Sequence, residues 1–430
     1  MASVLDPDAP TATADLVGVL AGLDPAAVPG AFDDLGLDRF ADAALATAAA
    51  IVDRPKAAPP GSFVLHAPLE LMARSALLAR VTPEARLAAR RRLVWFAATY
   101  AAAGESVAVD DRFAGAPAAT VVSALVDAIG AGDLDAAGAA GRALSRSVPP
   151  AELVATLVDV VAPSLAAAAH GGIWLHQVLS FAGAPVAPGA AAMARELARY
   201  PDWQLTWFDA APIHSAAAAS GSVSSVEDLV AALRRPPSPG PLDVNFIYPT
   251  MHLVEEAGLA ADLLGPALDG VDRHEATRAL WRIGARSMLQ DDPDEAPYGW
   301  SHCLTMPHGL LSVAGLARDP QRVLAAGATF VLGFRATQGK VELDPDWRPT
   351  PGEDPVARAW HAGAGERPAL AAQLAAHAAA HPDAHLAKYT LACLQLADAD
   401  PGFAHGYLAA AAHLNAWWDA HPVADDPLMG

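Results

Sequence analysis

Two residues three apart, His385 and Lys388, open the stretch HLAKYTLACLQLA (385–397). Leu386, Tyr389, Leu391, Ala392, Leu394 and Leu396 give it the character of a buried helix. A lysine ammonium buried without a partner is strongly destabilising. On a helix, positions i and i+3 share a face, so both side chains reach one point. Desolvation lowers a lysine pKa and frees the neutral amine. A neutral amine beside a metal ion takes up CO2 as a carbamate, an anionic oxygen ligand. The competing reading is a lysine that lays its stem on apolar surface and keeps its charge in water. Lysine is scarce in this chain: only Lys56, Lys340 and Lys388 occur, and the other 25 of the 28 basic residues are arginine. That scarcity singles out lysines as positions where arginine does not substitute.

Histidine recurs in a second pattern. HGGIWLHQVLSFAG (170–183) and HCLTMPHGLLSVAG (302–315) align without gaps, with six of fourteen positions identical, including both histidines. HAPLELMARSALLA (66–79) and HLVEEAGLAADLL (252–264) also set a histidine at or near the head of an apolar segment. Any one of them is adequately explained as a buried imidazole bonded to a carbonyl. Together, helices that begin with histidine can converge their first turns on one interior point, as metal-binding bundles do. Several imidazoles with little carboxylate suit Fe, Zn, Cu or Ni, whereas Mg²⁺ and Ca²⁺ want oxygen ligands. HExxH and His-x-His are both missing, which excludes a zincin and argues against an amidohydrolase-type binuclear site.

The elements that must position these residues read as helices. TPEARLAARRRLVWFAATYAAA (82–103), PAATVVSALVDAIGAGD (117–133) and VEDLVAALRR (226–235) are rich in helix formers. RPKAAPPGS (54–62), RRPPSPGPLD (234–243) and DWRPTPGEDP (346–355) read as stops, GAGDLDAAG (130–138) as a helix break and SGSVSS (220–225) as a loop. FVLGF (330–334) is the one run with strand-like character. The expected fold is all-α: one large helical domain over residues 1–430, with a buried histidine-rich site at the heads of core helices. If the domain is built of two packed halves, they divide near 234–243.

Composition bounds the function. Hydrophobic residues make up 53% of 430, enough for a sizeable core, and charged residues only 18%. The formal net charge of −20 disfavours nucleic acid and anionic membrane surfaces. From Val160 to Met193 no charged residue occurs, but Pro163, His170, Gly171, Gly172, His176, Pro185 and Pro188 interrupt it, so it reads as two buried helices and not a membrane span. Two unpaired cysteines, Cys303 and Cys393, and an N-terminus without a secretory pattern point to the cytoplasm. Gly-x-Gly-x-x-Gly, Walker and Gly-x-Ser-x-Gly motifs are missing, so no NADPH site is visible. DDPDE (291–295) resembles an Mg²⁺–diphosphate motif, but Pro293 interrupts it and it reads better as a solvated acidic loop.

In their order along the chain these motifs resemble the questin oxidase-like family. HAPLELMARSALL comes first with His66, then Ala169-His170-Gly171, then HCLTMP with His302, Thr305 and Pro307, and last His385-x-x-Lys388. The motifs span residues 66–388, and each is short. The resemblance implies an all-α oxygenase that opens or oxidises anthraquinone- or hydroquinone-type rings of aromatic polyketides with O2. It implies a mononuclear non-haem Fe(II) held by His66, His170, His302, His385 and a carbamate on Lys388. NADPH is linked to some members. GIWLHQ departs from the expected pattern after Ala-His-Gly, so His176 competes with His170; His308 is an extra histidine in the third motif, and His252 competes as well. Thr305 is the candidate catalytic hydroxyl, with helix capping as its alternative. Trp174, Tyr248 and Trp300, with Phe181 and Trp281, are candidates to line a pocket for a small aromatic substrate, against ordinary core packing.

Overall fold

The computed structural model describes residues 22, 25–28, 30, 41–57, 62–181, 187–210, 213, 225–242, 246–423, 426 and 428. In chain order the longer helices are α1 (Ala41–Val52), α2 (Ser62–Leu78), α3 (Arg86–Ala102), α4 (Ala118–Ala131), α5 (Leu134–Ser147), α6 (Pro150–Val161), α7 (Gly171–Ser180), α8 (Ala190–Arg199), α9 (Val226–Arg234), α10 (Ile247–Glu256), α11 (Arg273–Gln290), α12 (Ser301–Ser312), α13 (Pro320–Gln338), α14 (Pro355–His361), α15 (Arg367–Ala380), α16 (Ala384–Ala399) and α17 (Ala404–Ala420). Extended pairing among the described residues amounts to two isolated bridges, Lys56 with Ser106 and Ser164 with Gln204. The fold is all-α.

Local chemistry sets many of the boundaries. Gly132, at φ +67°, ends α4, and the Asp133 carboxylate accepts from the backbone N–H groups of Asp135 and Ala136 to start α5. Ser225 and Asp228 form a reciprocal capping box at α9; the rest of the expected loop at 220–225 lies outside the described residues. Asp272, Asp319, Asp354 and Asp383 cap α11, α13, α14 and α16. Each such cap stabilises its helix by about 1 kcal/mol. FVLGF sits inside α13 with Phe330, Val331, Leu332 and Phe334 buried. Its apolar residues face core on all sides, which a buried helix and a buried strand have in common.

The main core runs from Leu69 to Trp418 and includes Leu229 and Leu233 before the 234–243 segment and Ile247 and Met251 after it. The guanidinium of Arg335 ties that segment down by donating to the Arg234 carbonyl at 2.8 Å. A smaller core joins Val28 with α1, α2 and α3. The charge-free stretch holds the end of α6, a 3₁₀ turn at Ala166–Ala169, α7 and the start of α8, and no helix of the described residues is long and apolar enough to cross a membrane.

The acidic run at 291–295 is not a solvated loop throughout. Asp291 is fully buried against Arg335, with its carboxylate also accepting from the Lys340 N–H. Asp292 caps a short 3₁₀ turn and pairs with Lys340. The carboxylates serve helix ends and ion pairs, which is why Asp291 leaves water.

Four helices position the candidate site. α2 packs on α7, α7 on α12, α12 on α16, and α16 on α2, closing a ring. The α7–α12 crossing is backbone to backbone: a Cβ on Gly309 would lie 2.6 Å from Ile173 Cα, and one on Gly172 would lie 2.8 Å from Leu310 Cβ. Glycine at both places is therefore a packing requirement.

Candidate metal centre

Each helix of the ring brings one histidine to the same interior point. His66 lies in the early turns of α2, His170 caps α7, and His302 and His385 are the second residues of α12 and α16. Their ring centroids form a four-sided figure in the order of the helices: His66–His170 4.6 Å, His170–His302 5.1 Å, His302–His385 4.9 Å and His385–His66 4.5 Å. The diagonal His66–His302 is 6.3 Å. All four are buried. Ligand nitrogens of His66, His170 and His302 lie within 4.8 Å of one another. The His385 ring packs at the same range, but its nitrogens do not join that set.

Backbone carbonyls orient two of the rings. His170 Nδ1 donates to the carbonyls of Ala167 (3.0 Å) and Ala168 (2.7 Å), and His302 Nδ1 donates to the Tyr298 carbonyl. That fixes the tautomer and leaves Nε2 of each ring with a free lone pair. Both Nε2 atoms are buried without a hydrogen-bond partner. His385 Nδ1, also unpartnered by hydrogen bonding, lies 3.5 Å from an Asp383 carboxylate oxygen.

The carbonyls that hold His170 come from a strained backbone. Ala167, Ala168 and Ala169 have φ of 52°, 49° and 53°. Left-handed alanine costs roughly 1–2 kcal/mol per residue, so the three together store about 3–6 kcal/mol that the surrounding fold must offset. His302 is aimed by a different irregularity: the π-helical turn Ala296–Trp300 runs directly into α12. Such turns recur at functional sites.

Lys388 is 3% exposed, and its Nζ has no hydrogen-bond partner. Burial lowers its pKa to about 8, opposed by the carboxylates of Asp383 and Glu70. Burial, with the Lys388 charge as the next cause, holds His66 and His170 well below their ordinary pKa, and burial with His385 and His170 does the same for His302. His385 is lowered by burial and then by Lys388. At neutral pH the four imidazoles are neutral and ready to act as ligands, and the lowered pKa of Lys388 favours its free amine. The other lysines do not share this environment. Lys56 donates to the carbonyls of Ala101 and Gly104, and Lys340 is a surface partner of Asp292. Scarcity alone therefore did not distinguish Lys388.

No family profile matches this chain, and neither does any curated protein or solved structure. The reading of the metal centre therefore rests on geometry and donor chemistry, and the reaction class on the resemblance of motif order.

The donor set fits a transition metal. Four buried polar atoms from three separate segments, His170 Nε2, His302 Nε2, His385 Nδ1 and Lys388 Nζ, have no hydrogen-bond partner, and the first two belong to the set of ligand nitrogens that lie within 4.8 Å of one another. Unmet groups in a buried site cost about 1–3 kcal/mol each, and a metal ion is one way to satisfy the nitrogens. Carboxylates stand just outside. Glu70, one helical turn beyond His66, pairs with Arg74 at 2.5–2.7 Å, and Arg74 also donates to the Ala379 carbonyl at 2.9 Å. Burial pushes the Glu70 carboxyl up against the pull of Arg74. Burial alone would raise Asp383 too, but His385 and the Leu386 N–H bring it below the usual range.

The remaining candidates fall elsewhere. His252 is not part of the cluster: its side chain is 41% exposed, pairs with Glu256 at 3.1 Å and stacks on Tyr248. Tyr248 continues that stack onto Trp203 at 4.1 Å and makes no ring contact with a cluster histidine. His176 and His308 pair with each other, at 4.7 Å, and do not replace His170 or His302. Trp174 and Trp300 are fully buried with their N–H groups committed to the carbonyls of Pro188 and Asp292. They serve packing and offer no polar handle. Trp281 lies beside His308, and Phe181 packs against both cores. The Thr305 hydroxyl donates to Ser301 O at 2.8 Å within α12, so it caps nothing and retains only its lone pairs for other partners.

Tyr298 is the residue that sequence reasoning missed. Its ring is 54% exposed and stands edge-on to His385 at 4.9 Å, while its carbonyl holds His302. It joins the cluster to solvent. Its only sequence signal is an aromatic residue four positions before the motif histidine.

Proposed function

We propose that the four histidines and Lys388 hold a mononuclear transition metal, best Fe(II), and that the protein is an oxygenase of aromatic polyketides of anthraquinone or hydroquinone type. The observation that carries this reading is the convergence of four helix-head imidazoles with a buried, unpartnered lysine amine. Bound Fe(II) supplies the one-electron chemistry by which O2 reacts with an electron-rich ring. His66, His170, His302 and His385 present neutral nitrogen donors, two of them aimed by backbone carbonyls. The Lys388 amine adds to CO2, forming an N–C bond and releasing one proton, and the resulting carbamate supplies the anionic oxygen that neutral imidazoles lack. A compact ammonium on a flexible stem suits this position, since guanidinium does not deprotonate. Tyr298 offers an exposed aromatic face where a planar substrate enters from solvent.

The test is metal content and oxygen uptake together. Protein purified without oxygen is analysed by elemental mass spectrometry, as wild type and Lys388→Ala, then supplied with hydroquinones or anthraquinones in an oxygen electrode. About one iron per chain, lost or weakened in the variant, with substrate-dependent O2 consumption, supports the proposal. Metal-bound protein that transforms such substrates without consuming O2 points instead to a hydrolase or cyclase. No metal in the wild type after Fe(II) is supplied overturns the site.

A further inference from the structure

The second histidine of each repeat is left over by this site. On α7 and α12 the motif reads His, five residues, His, and the fold pairs first with first and second with second. His176 and His308 stand 4.7 Å apart with their planes at 71°. His176 Nε2 lies 3.2 Å from the Gln395 side-chain oxygen of α16, so Nε2–H donates and Nδ1 keeps its lone pair. His308 is 5% exposed, and among the described residues neither of its ring nitrogens has a hydrogen-bond partner. Beside it, 6.0 Å between rings, Trp281 has a buried Nε1–H without a partner. An imidazole offers one N–H and one lone pair, and on His308 both stay open to water or a ligand. Burial keeps both rings neutral.

We propose that His176 and His308 form a second metal site, separate from the four-histidine centre, that takes a borderline ion such as Zn²⁺. His176 Nδ1 and one nitrogen of His308 are the protein ligands, and water completes the shell. Gln395 does not ligate; it orients His176 through Nε2–H, as a carbonyl partner does for a metal-bound histidine. Two imidazoles without carboxylate disfavour Mg²⁺ and Ca²⁺. Six residues at about 1.5 Å each put the two centres on the order of 9 Å apart, beyond the roughly 3.5–4 Å of a bridged metal pair. The half-buried His176 and Gln395 give the ion a way in from solvent.

The experiment is equilibrium dialysis of chelator-stripped full-length protein against Zn²⁺, with metal counted per chain. Expected are two ions for wild type, one for His308→Ala and one for His302→Ala, with the second site weakened about tenfold in Gln395→Leu. Gln395 is half-buried, so that variant decides the matter if His308→Ala does not fold. An ion kept by His302→Ala but lost in His308→Ala supports this site even if the four-histidine centre binds nothing. Wild type that binds no ion, or only one that His308→Ala also keeps, overturns the proposal and leaves the pair hydrated. An unchanged affinity for the second ion in Gln395→Leu overturns the proposal as stated.

Discussion

Replacing Lys388 by methionine should make the metal-free protein more stable while abolishing tight metal binding. The side chain is 3% exposed and its ammonium has no hydrogen-bond partner. Burial moves its pKa from 10.5 to about 8. At about 1.4 kcal/mol per unit this is a burden of roughly 3 kcal/mol on the folded state. The sign follows from linkage. Between the two pKa values the unfolded chain holds the proton and the folded chain does not, so stability rises with pH across that window. The penalty is complete below about pH 8 and fades toward pH 10.5. Lys388→Met keeps the length and apolar stem and removes the charge. Unfolding entropy of about 2.1 cal/mol/K per residue gives about 0.9 kcal/mol/K for a chain of this size. Tm should therefore rise by about 3 °C at pH 7, and by little at pH 10. Scanning calorimetry of chelator-stripped protein at both pH values, with iron counted after reconstitution, makes the comparison. A lower Tm at pH 7 would mean that the ammonium is stabilised where it sits. Full iron content in the variant would remove Lys388 from the ligand set.

Three further outcomes follow from the same geometry. Arg74→Leu strands the Glu70 carboxylate in the core and should cost about 3–5 kcal/mol in urea unfolding, while the double variant Glu70→Leu/Arg74→Leu should recover most of it. Gly309→Ala places a Cβ 2.6 Å from Ile173 Cα and should cost about 1–3 kcal/mol, weakening metal binding by moving His302 from His170. Gly315→Ala, which meets nothing within 4 Å, is the control and should leave metal affinity unchanged. Burial lowers the pKa of His381 to about 4 against the pull of Asp383. Its neutral form accepts the Asp383 N–H at 3.1 Å. Its contribution is complete above about pH 6.5 and is lost as pH falls to about 4, a swing on the order of 3 kcal/mol. His381→Asn keeps the acceptor, so Tm of the variant should depend less on pH over that window; an unchanged slope would refute the assignment.

Much of the fold was legible because apolar helices with clear stops leave few alternatives. The all-α class, the break at Gly132–Asp133 and the positions of His66, His170, His302 and His385 at helix heads follow from residue types and spacing. The failures have physical causes. The stretch from Val160 to Met193 reads as two buried helices, yet Ala167, Ala168 and Ala169 within it are left-handed, because tertiary packing overrides a local preference worth less than the contacts around it. His252 reads like the other helix-head histidines, but periodicity does not say which face a short helix turns to water. Asp291 looks solvated in an acidic run, and only the distant Arg335 explains its burial.

The repeat shows the limit most clearly. Its two histidines are equivalent in sequence, and nothing in either segment says which one serves the larger cluster. The answer lies in α2 and α16, which supply His66, His385 and Lys388 on the side of the first pair, whereas α16 supplies only Gln395 to the second. One internal symmetry thus yields two unlike sites, because the helices that close the ring do not share it. The irregular backbone follows the same division: left-handed residues and a π-turn lie at the first pair, while the second sits inside α7 and α12, His308 directly after Pro307. Irregular backbone is tolerated where surrounding packing over-determines it and where an aimed side chain gives it a use. On that ground the proposed chemistry belongs with the first pair and its lysine, and the second pair is proposed for binding alone.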